Sequence, residues 1–297
     1  MGNQFEITVV ASIAEWAYER IDEAVNEIRR IEDILSTYKE ESVTNLINLN
    51  AGIQPVKVSD EVYELIDRSI RISSITQGSF DISYGSIDKR LWNFDKTMTS
   101  LPASSTAKKM VRLINYKNII LDKINKTVFL KEKGMRIGFG GIGKGYAAEM
   151  AKAVMKKNGV MSGIVNASGD LTAWGHQPNG EPWTIGIVHP DLAGQPFSYM
   201  SITDGSIATS GNYEKFVIID GKKYSHTIDP KTGLPVTGIK SVTVISPNAE
   251  ICDALATPVT ILGIKNGIEL INQLKNVECI IIDDNNRLYK SKNIHLS

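Results

Sequence analysis

Residues 136–149 read Arg-Ile-Gly-Phe-Gly-Gly-Ile-Gly-Lys-Gly-Tyr-Ala-Ala-Glu. Gly138, Gly140 and Gly143 match G-x-G-x-x-G, the dinucleotide fingerprint of a strand-turn-helix unit. Gly138, Gly143 and Lys144 match the opening of a P-loop, but Gly145 stands where Ser or Thr would hold magnesium. Either reading rests on the same physics. Glycine lets the backbone approach a ligand closely and reach positive φ. Tyr146 to Val154 predicts a helix, and N–H groups at a helix start beside a lysine favour a phosphate. The competing reading is a tight strand-to-helix turn with no ligand.

The surrounding pattern decides between fold classes. Ile7 to Ala11 is a strand candidate, and Ile13 to Leu35 places Ala, Ile and Val at helical spacing. Val43 to Leu49 predicts a short helix. Val56 to Val58 predicts a strand, and Ser59-Asp60 caps a second long helix over Glu61–Thr76. Residues 78–95 alternate small polar residues with aromatics and read as a structured loop. A helix over 104–114 precedes strands at Ile119–Leu121, Thr127–Leu130 and Met135–Ile137. After the glycine run come a helix over 145–157 and strands at 163–166, 171–174, 183–188, 198–203, 206–209, 214–219 and 240–246. Helices over 251–262 and 265–274 and strands at 277–282 and 286–289 finish the chain. No strict βαβα rhythm appears. The pattern predicts an α+β fold, with mixed or antiparallel sheets and packed helices, over a doubly wound sheet. It also weighs against the dinucleotide reading. So does the segment Asn158 to Val165, which lacks the acidic residue expected about 20 positions past the glycines.

Bulk properties exclude other classes. The chain has 297 residues, room for one large domain or two ordinary ones. Its 33 basic residues balance its 33 acidic ones, so no global field steers it to nucleic acid or a membrane. No stretch reaches the roughly 18 apolar residues of a transmembrane helix. Nor does the start read as a signal peptide, since Glu6 and the helix-like run from Ala14 follow too soon. Cys252 and Cys279 match no metal spacing and read as small buried apolar side chains.

Several further clusters carry polar chemistry. Tyr38, at the end of a long helix, offers a face for stacking on a flat ring. In Gly78-Ser-Phe-Asp81, Phe80 reads as core and Asp81 as a turn cap. Asp170 follows Gly169 near a strand end and suits a cation, sugar hydroxyls or a turn. His226 lies in Tyr224-Ser-His-Thr-Ile-Asp-Pro-Lys-Thr-Gly-Leu-Pro235, where Asp229 to Gly233 signals a tight turn. A histidine held by such a turn can act as a general base. Asp253 and Thr257 fall at i, i+4 on one helix face, where carboxylate and hydroxyl oxygens suit a hard cation. The competing reading there is a helix start, with Asp253 favoured by the dipole.

Taken in order, these segments resemble one family, the ApbE-type FAD:protein FMN transferases. The resemblance runs from Met1-Gly2 through Ser36-Thr-Tyr38 with Ser42 and Asn48, and through Gly78-Ser-Phe-Asp81 with Leu91-Trp-Asn-Phe94. It continues in Gly140-Gly-Ile-Gly-Lys-Gly-Tyr-Ala147, Asn166-Ala-Ser-Gly-Asp170 and Thr209-Ser-Gly-Asn-Tyr213. It closes with Ser225 to Pro235, Ser241-Val-Thr-Val244 and Asp253-Ala-Leu-Ala-Thr257. It implies a single ApbE-like domain, with two closely packed lobes and FAD held between them. It implies an enzyme that uses FAD as substrate with Mg²⁺, moves FMN onto a Ser or Thr of an acceptor protein and releases AMP. By the same resemblance Asp253 and Thr257 ligate Mg²⁺ with the Gly141 carbonyl, and Lys144 contacts FAD. Met1, Tyr38, Ser79, Phe80, Asp81 and Thr227 line the FAD site, and His226 deprotonates the acceptor.

One position departs from the family pattern: Gly138 stands where an Asp that touches FAD is expected. Three rival readings follow. An FAD pyrophosphatase would release free FMN and AMP, a non-catalytic flavin-binding protein would only hold FAD, and the glycine fingerprint alone suggests an NAD-binding oxidoreductase. The aromatic Tyr38 favours transfer, since Asn at that position goes with hydrolysis in the family. The resemblance also implies a bacterial cell-envelope setting, with a lipid anchor in a longer precursor, and a cytoplasmic setting as second choice.

Overall fold

The computed structural model describes residues 4–88, 98–188, 196–211 and 216–294. Met1 and the Leu91-Trp-Asn-Phe94 segment lie outside the described residues. The chain opens with β1 (Phe5–Val9) and α1 (Ala14–Leu35), followed by α2 (Val43–Leu49), β2 (Val56–Lys57) and α3 (Asp60–Ile75). A 3-10 turn (Ile82–Ser86), α4 (Ser104–Met110), β3 (Ile119–Asp122) and β4 (Thr127–Leu130) come next. The glycine run leads into α5 (Gly143–Lys157), β5 (Gly163–Ala167), β6 (Asp170–Trp174), β7 (Trp183–Val188) and β8 (Pro196–Ile202). Then come β9 (Asp204–Gly211), β10 (Phe216–Ile219), β11 (Lys222–Ser225) and β12 (Ile239–Ser246). The chain ends on α6 (Ala249–Ile271), β13 (Glu278–Asp283) and β14 (Leu288–Lys290).

These elements form two compact units. One comprises Met1–Glu32, Ile142–Tyr213 and Ile239–Ser297; the other comprises Asp33–Gly141 and Glu214–Gly238. The chain passes from the second unit to the first inside the glycine run.

The first unit holds a seven-stranded sheet in the order β1-β5-β6-β9-β12-β13-β14. Every neighbouring pair in it is antiparallel. No βαβ crossover joins two of these strands in parallel, so the dinucleotide reading of the glycines fails on topology. Helices α5 and α6 pack on each other, α5 against β5 and β6 and α6 against β9 and β12. Strand β12 is buried almost throughout, as a central strand covered by a helix should be. Helix α6 is long and apolar enough to cross a membrane by composition, but its packing on β9 and β12 marks it as a core helix. It breaks at Gly263, whose φ of 80° and ψ of 172° explain why the sequence reads as two helices there. Both cysteines are buried free thiols, pushed up to about 12 by burial.

The second unit holds a three-stranded sheet, β2-β4-β3, and the β10–β11 hairpin. Ser59 caps α3 by accepting from Val62 N, and Ser42 caps α2 by accepting from Asn45 N. Residues 135–137 are not a strand, although Met135 and Ile137 are fully buried. Their backbone groups bond to side chains instead of a neighbouring strand. Asn48 gives and takes one hydrogen bond each with Ile137, at 3.0 and 2.7 Å, and Ser86 does the same with Arg136, at 2.9 and 2.8 Å. Helix α4 ends at Met110, short of the predicted 114, because Val111 turns out of it and Ile114 N bonds back to Val111 O. Met110 and Val111 instead join Ile87, Ala107, Val217, Ile219 and Ile228 in one apolar cluster.

Candidate active site

Two helices of the first unit bring the sharpest chemistry together. Lys144, on the first turn of α5, pairs with the Asp170 carboxylate at the start of β6. Asp170 also hydrogen-bonds the Asp253 side chain of α6 and the Thr209 backbone of β9. The Asp253 carboxylate in turn accepts from Gly145 N at 3.0 Å. Lys144 and Asp253, 109 positions apart in sequence, thus meet through Asp170. Of the readings open for Asp170 in the sequence, a cation, sugar hydroxyls or a turn, its place beside Lys144 and Asp253 favours a role in this cluster. Thr257 lies one turn beyond Asp253 on the same helix and is half-buried.

The structure also explains Gly145. A Cβ at this position would lie 2.1 Å from Ala249 O and 2.9 Å from Asp253 Cβ. Glycine is required here because α5 and α6 cross at this point, so no Ser or Thr of a P-loop could be seated. The Gly145 N–H, a helix-start donor that a phosphate could have taken, already serves Asp253.

Burial raises Asp253 from an ordinary 3.8 to about 7, and the negative charge of Asp170 adds to it; Lys144 and the Gly145 N–H act the other way. Asp170 is also raised, by burial, against the pull of Lys144. Two buried carboxylates facing one ammonium suit a hard divalent cation, which would relieve the excess negative charge. Among the described residues no three His, Cys, Asp or Glu side chains converge as a metal centre. Among the described residues, further ligands would be hydroxyl or carbonyl oxygens, which with phosphate oxygens are a set magnesium accepts.

The sign of the pH effect follows. With its raised value, Asp253 keeps a proton in the folded protein that the unfolded chain gives up. Its contribution to metal-free stability is therefore lost as pH climbs from 3.8 through about 7. The thermal midpoint in chelator should fall over that window, and Asp253→Asn should flatten the fall. A midpoint profile identical in wild type and Asp253→Asn would contradict this assignment.

The second unit carries the other candidates. Asp81 caps the 3-10 turn: one oxygen accepts from Ser83 N at 2.8 Å and Ser83 Oγ at 2.6 Å, the other from Tyr116 N at 2.7 Å. Burial raises its carboxyl despite these bonds. Ser79 and Phe80 are buried beside it, and a Cβ on Gly141 would sit 3.6 Å from the Phe80 ring. Tyr38 is 96% exposed, which leaves its ring free to stack. Gly138 donates to Ile82 O at 2.8 Å. A Cβ there would meet only Thr37 Cγ2, at an ordinary 3.5 Å.

His226 follows β11 directly and is exposed, and Thr227 is buried. The turn that holds them is closed as its sequence predicts. Asp229 accepts from Lys231 N and Thr232 Oγ1, and Gly233 N donates to Asp229 O at 2.8 Å. Gly233 has a φ of 71°, and a Cβ on it would lie 2.2 Å from Ala107 O. A hydrogen bond joins the Tyr84 side chain to the Ile228 backbone, tying the Asp81 turn to the His226 segment.

With this geometry in view, comparison with known proteins is specific. The ApbE family model matches residues 1–281. A protein of Klebsiella pneumoniae named FAD:protein FMN transferase is 31% identical over 87% of this chain and 80% of its own. One of the same name from Treponema pallidum is 28% identical over 92% and 80%. The ApbE protein of Thermotoga maritima superposes with a TM-score of 0.86 at 28% identity, covering 98% of this chain and 94% of that one. The apo flavinyl transferase ApbE of Pseudomonas stutzeri gives 0.84 at 25%, covering 98% and 92%. The α+β fold with antiparallel sheets is the one these structures share, and by the match along its length this chain belongs to the ApbE family.

Proposed function

We propose that this protein is an FAD:protein FMN transferase that uses Mg²⁺ to cleave the FAD pyrophosphate, transfers FMN to a Ser or Thr hydroxyl of a second protein and releases AMP. The observation that carries this reading is the cluster in which Lys144, on the glycine-run helix, meets the buried carboxylates Asp170 and Asp253, in a chain whose matched relatives bear that enzyme's name.

The roles follow from the chemistry of each group. Asp253 and Thr257, with the Gly141 carbonyl, would hold Mg²⁺, which when bound neutralises charge on the phosphate oxygens. Lys144, its ammonium set by Asp170, supports the negative charge that develops on the phosphoryl group. Tyr38 offers its exposed ring to the flavin, and Thr227 and Ser79 offer hydroxyls. Asp81, already engaged by three internal donors, acts by holding the Ser79–Phe80 turn in place. His226 takes the proton of the acceptor hydroxyl as its oxygen bonds to the FMN phosphorus. The bond from that phosphorus to the bridging oxygen breaks, and AMP leaves with that oxygen.

Product analysis separates this from the hydrolytic reading. With FAD, Mg²⁺ and an acceptor protein, AMP should appear in step with protein-bound FMN. AMP accompanied by equal free FMN would assign a pyrophosphatase, and intact FAD a binding protein.

Gly138 gives a further expectation. Space for a Cβ is present, and glycine's φ there is not in the left-handed region. Gly138→Asp should therefore fold and tighten FAD binding about threefold to tenfold by restoring a polar contact worth about 1 kcal/mol. Titration of FAD fluorescence checks this, and unchanged or weaker binding would show that the acidic contact has no place in this chain.

A further inference from the structure

Glu149, the one carboxylate on α5, has no part in the roles above, yet it is held on several sides. Its side chain is 12% exposed. Oε1 accepts from Ala249 N, the first residue of α6, at 2.7 Å, and from Ser206 Oγ at 3.1 Å. Oε2 lies 3.9 Å from Lys152 Nζ, which donates to Thr172 Oγ1 at 3.0 Å. Ser206 Oγ also lies within hydrogen-bonding distance of Thr172 Oγ1, at 3.0 Å, so the carboxylate belongs to a closed polar network linking α5, β6, β9 and α6.

The placement relative to Asp253 is regular. Gly145 N holds Asp253, and Glu149 holds Ala249 N. Four residues forward on α5 correspond to four residues back on α6, so the two contacts are successive rungs between helices running in opposite directions. The lower rung is fixed by close approach, since nothing larger than glycine fits at 145. The upper rung is fixed by a charged acceptor on an N–H that α6 cannot satisfy internally. The cap residue Asn248 serves a different donor, Ile251 N. Together the rungs set the axial position and rotation of the start of α6, with Asp253 projecting just past its first turn.

We propose that Glu149 is a positioning residue for the metal-binding helix: by capping the N-terminus of α6 from α5, it places the Asp253 carboxylate at the height the divalent cation needs. This inference rests on the metal role proposed for Asp253. The proton at Asp253 and the chemistry of transfer are not its concern; only the helix register is. The acceptor oxygen is what matters, so an amide should replace the acid.

The test is a Mg²⁺ titration of wild type, Glu149→Ala, Glu149→Gln and Asp253→Ala in the presence of FAD. It is followed by the rise in thermal midpoint, which reads binding without turnover, and in parallel by the Mg²⁺ dependence of AMP release. Glu149→Ala should need about tenfold more Mg²⁺ for half its effect, with kcat at saturating Mg²⁺ within about threefold of wild type. Glu149→Gln, which keeps the accepting oxygen and the packing, should stay within about twofold. A Glu149→Ala midpoint lowered in chelator but with an unshifted Mg²⁺ titration would make Glu149 merely structural and overturn the proposal. So would Glu149→Gln behaving like Asp253→Ala, even if Glu149→Ala does not fold. Should Asp253→Ala itself leave the titration unchanged, the metal role of Asp253 fails, and the positioning role falls with it. If only Asp253→Ala shifts, Glu149 alone is wrongly assigned.

Discussion

His226→Ala should lower FMN transfer about 10²- to 10⁴-fold while leaving the FAD dissociation constant within about twofold. The expectation comes from where the residue stands. Its side chain is exposed at the end of β11, while its neighbour Thr227 is buried and the following turn is closed by Asp229 and Gly233. That neighbour and turn hold the backbone, so truncating the imidazole should remove a base while the segment keeps its place. The Gly145–Asp253 contact and the Lys144–Asp170 pair are made by other residues, so phosphate and metal binding should persist. The measurement pairs a transfer assay with FAD fluorescence titration. Loss of both to the same degree would make His226 a binding residue and remove it as the base.

Gly145→Ala should be the most destabilising single methyl added to the first unit. The new Cβ would sit 2.1 Å from the Ala249 carbonyl oxygen, and the contact atom is helix backbone, which cannot swing aside. Overpacking of this kind costs about 3 kcal/mol when the backbone must shift, and the thermal midpoint should drop by roughly 5–10 °C. The same displacement pulls the Gly145 N–H from Asp253, so the Mg²⁺ requirement should rise in the fraction that folds. Thermal unfolding in chelator and in Mg²⁺ measures both. A midpoint within about 1 °C of wild type would mean that α5 and α6 do not cross as closely as described.

Much of the fold is legible in the sequence because its signals are local. Ser59 announces α3 through the N–H group it caps, and Asp229 to Gly233 announces the turn that sets His226. The segment 135–137 is misread as a strand for a physical reason. Alternating Met135 and Ile137 are buried as a strand would bury them, but Asn48, 89 positions away from Ile137, supplies the hydrogen bonds. No local pattern reveals a partner that distant. The site divides the same way. Asp253 and Thr257 are visible as an i, i+4 pair on one helix. Asp170 is visible only as a residue that suits a cation, sugar hydroxyls or a turn, and Glu149 not at all, since each acquires its partners only when α5, β6, β9 and α6 pack. Gly145 shows the limit most sharply: by motif it is a P-loop lacking its hydroxyl, and by packing it is the one residue that lets α6 approach.

The central claim, that FMN is moved to a protein rather than released, is tested most directly by intact-mass measurement of an acceptor protein incubated with this enzyme, FAD and Mg²⁺. The acceptor should gain the mass of one FMN phosphoryl adduct, with one AMP formed per adduct, and the gain should vanish with His226→Ala or with chelator. An acceptor of unchanged mass in a mixture where a bona fide flavin transferase modifies it, whether FAD remains whole or is converted to free FMN and AMP, would contradict the account.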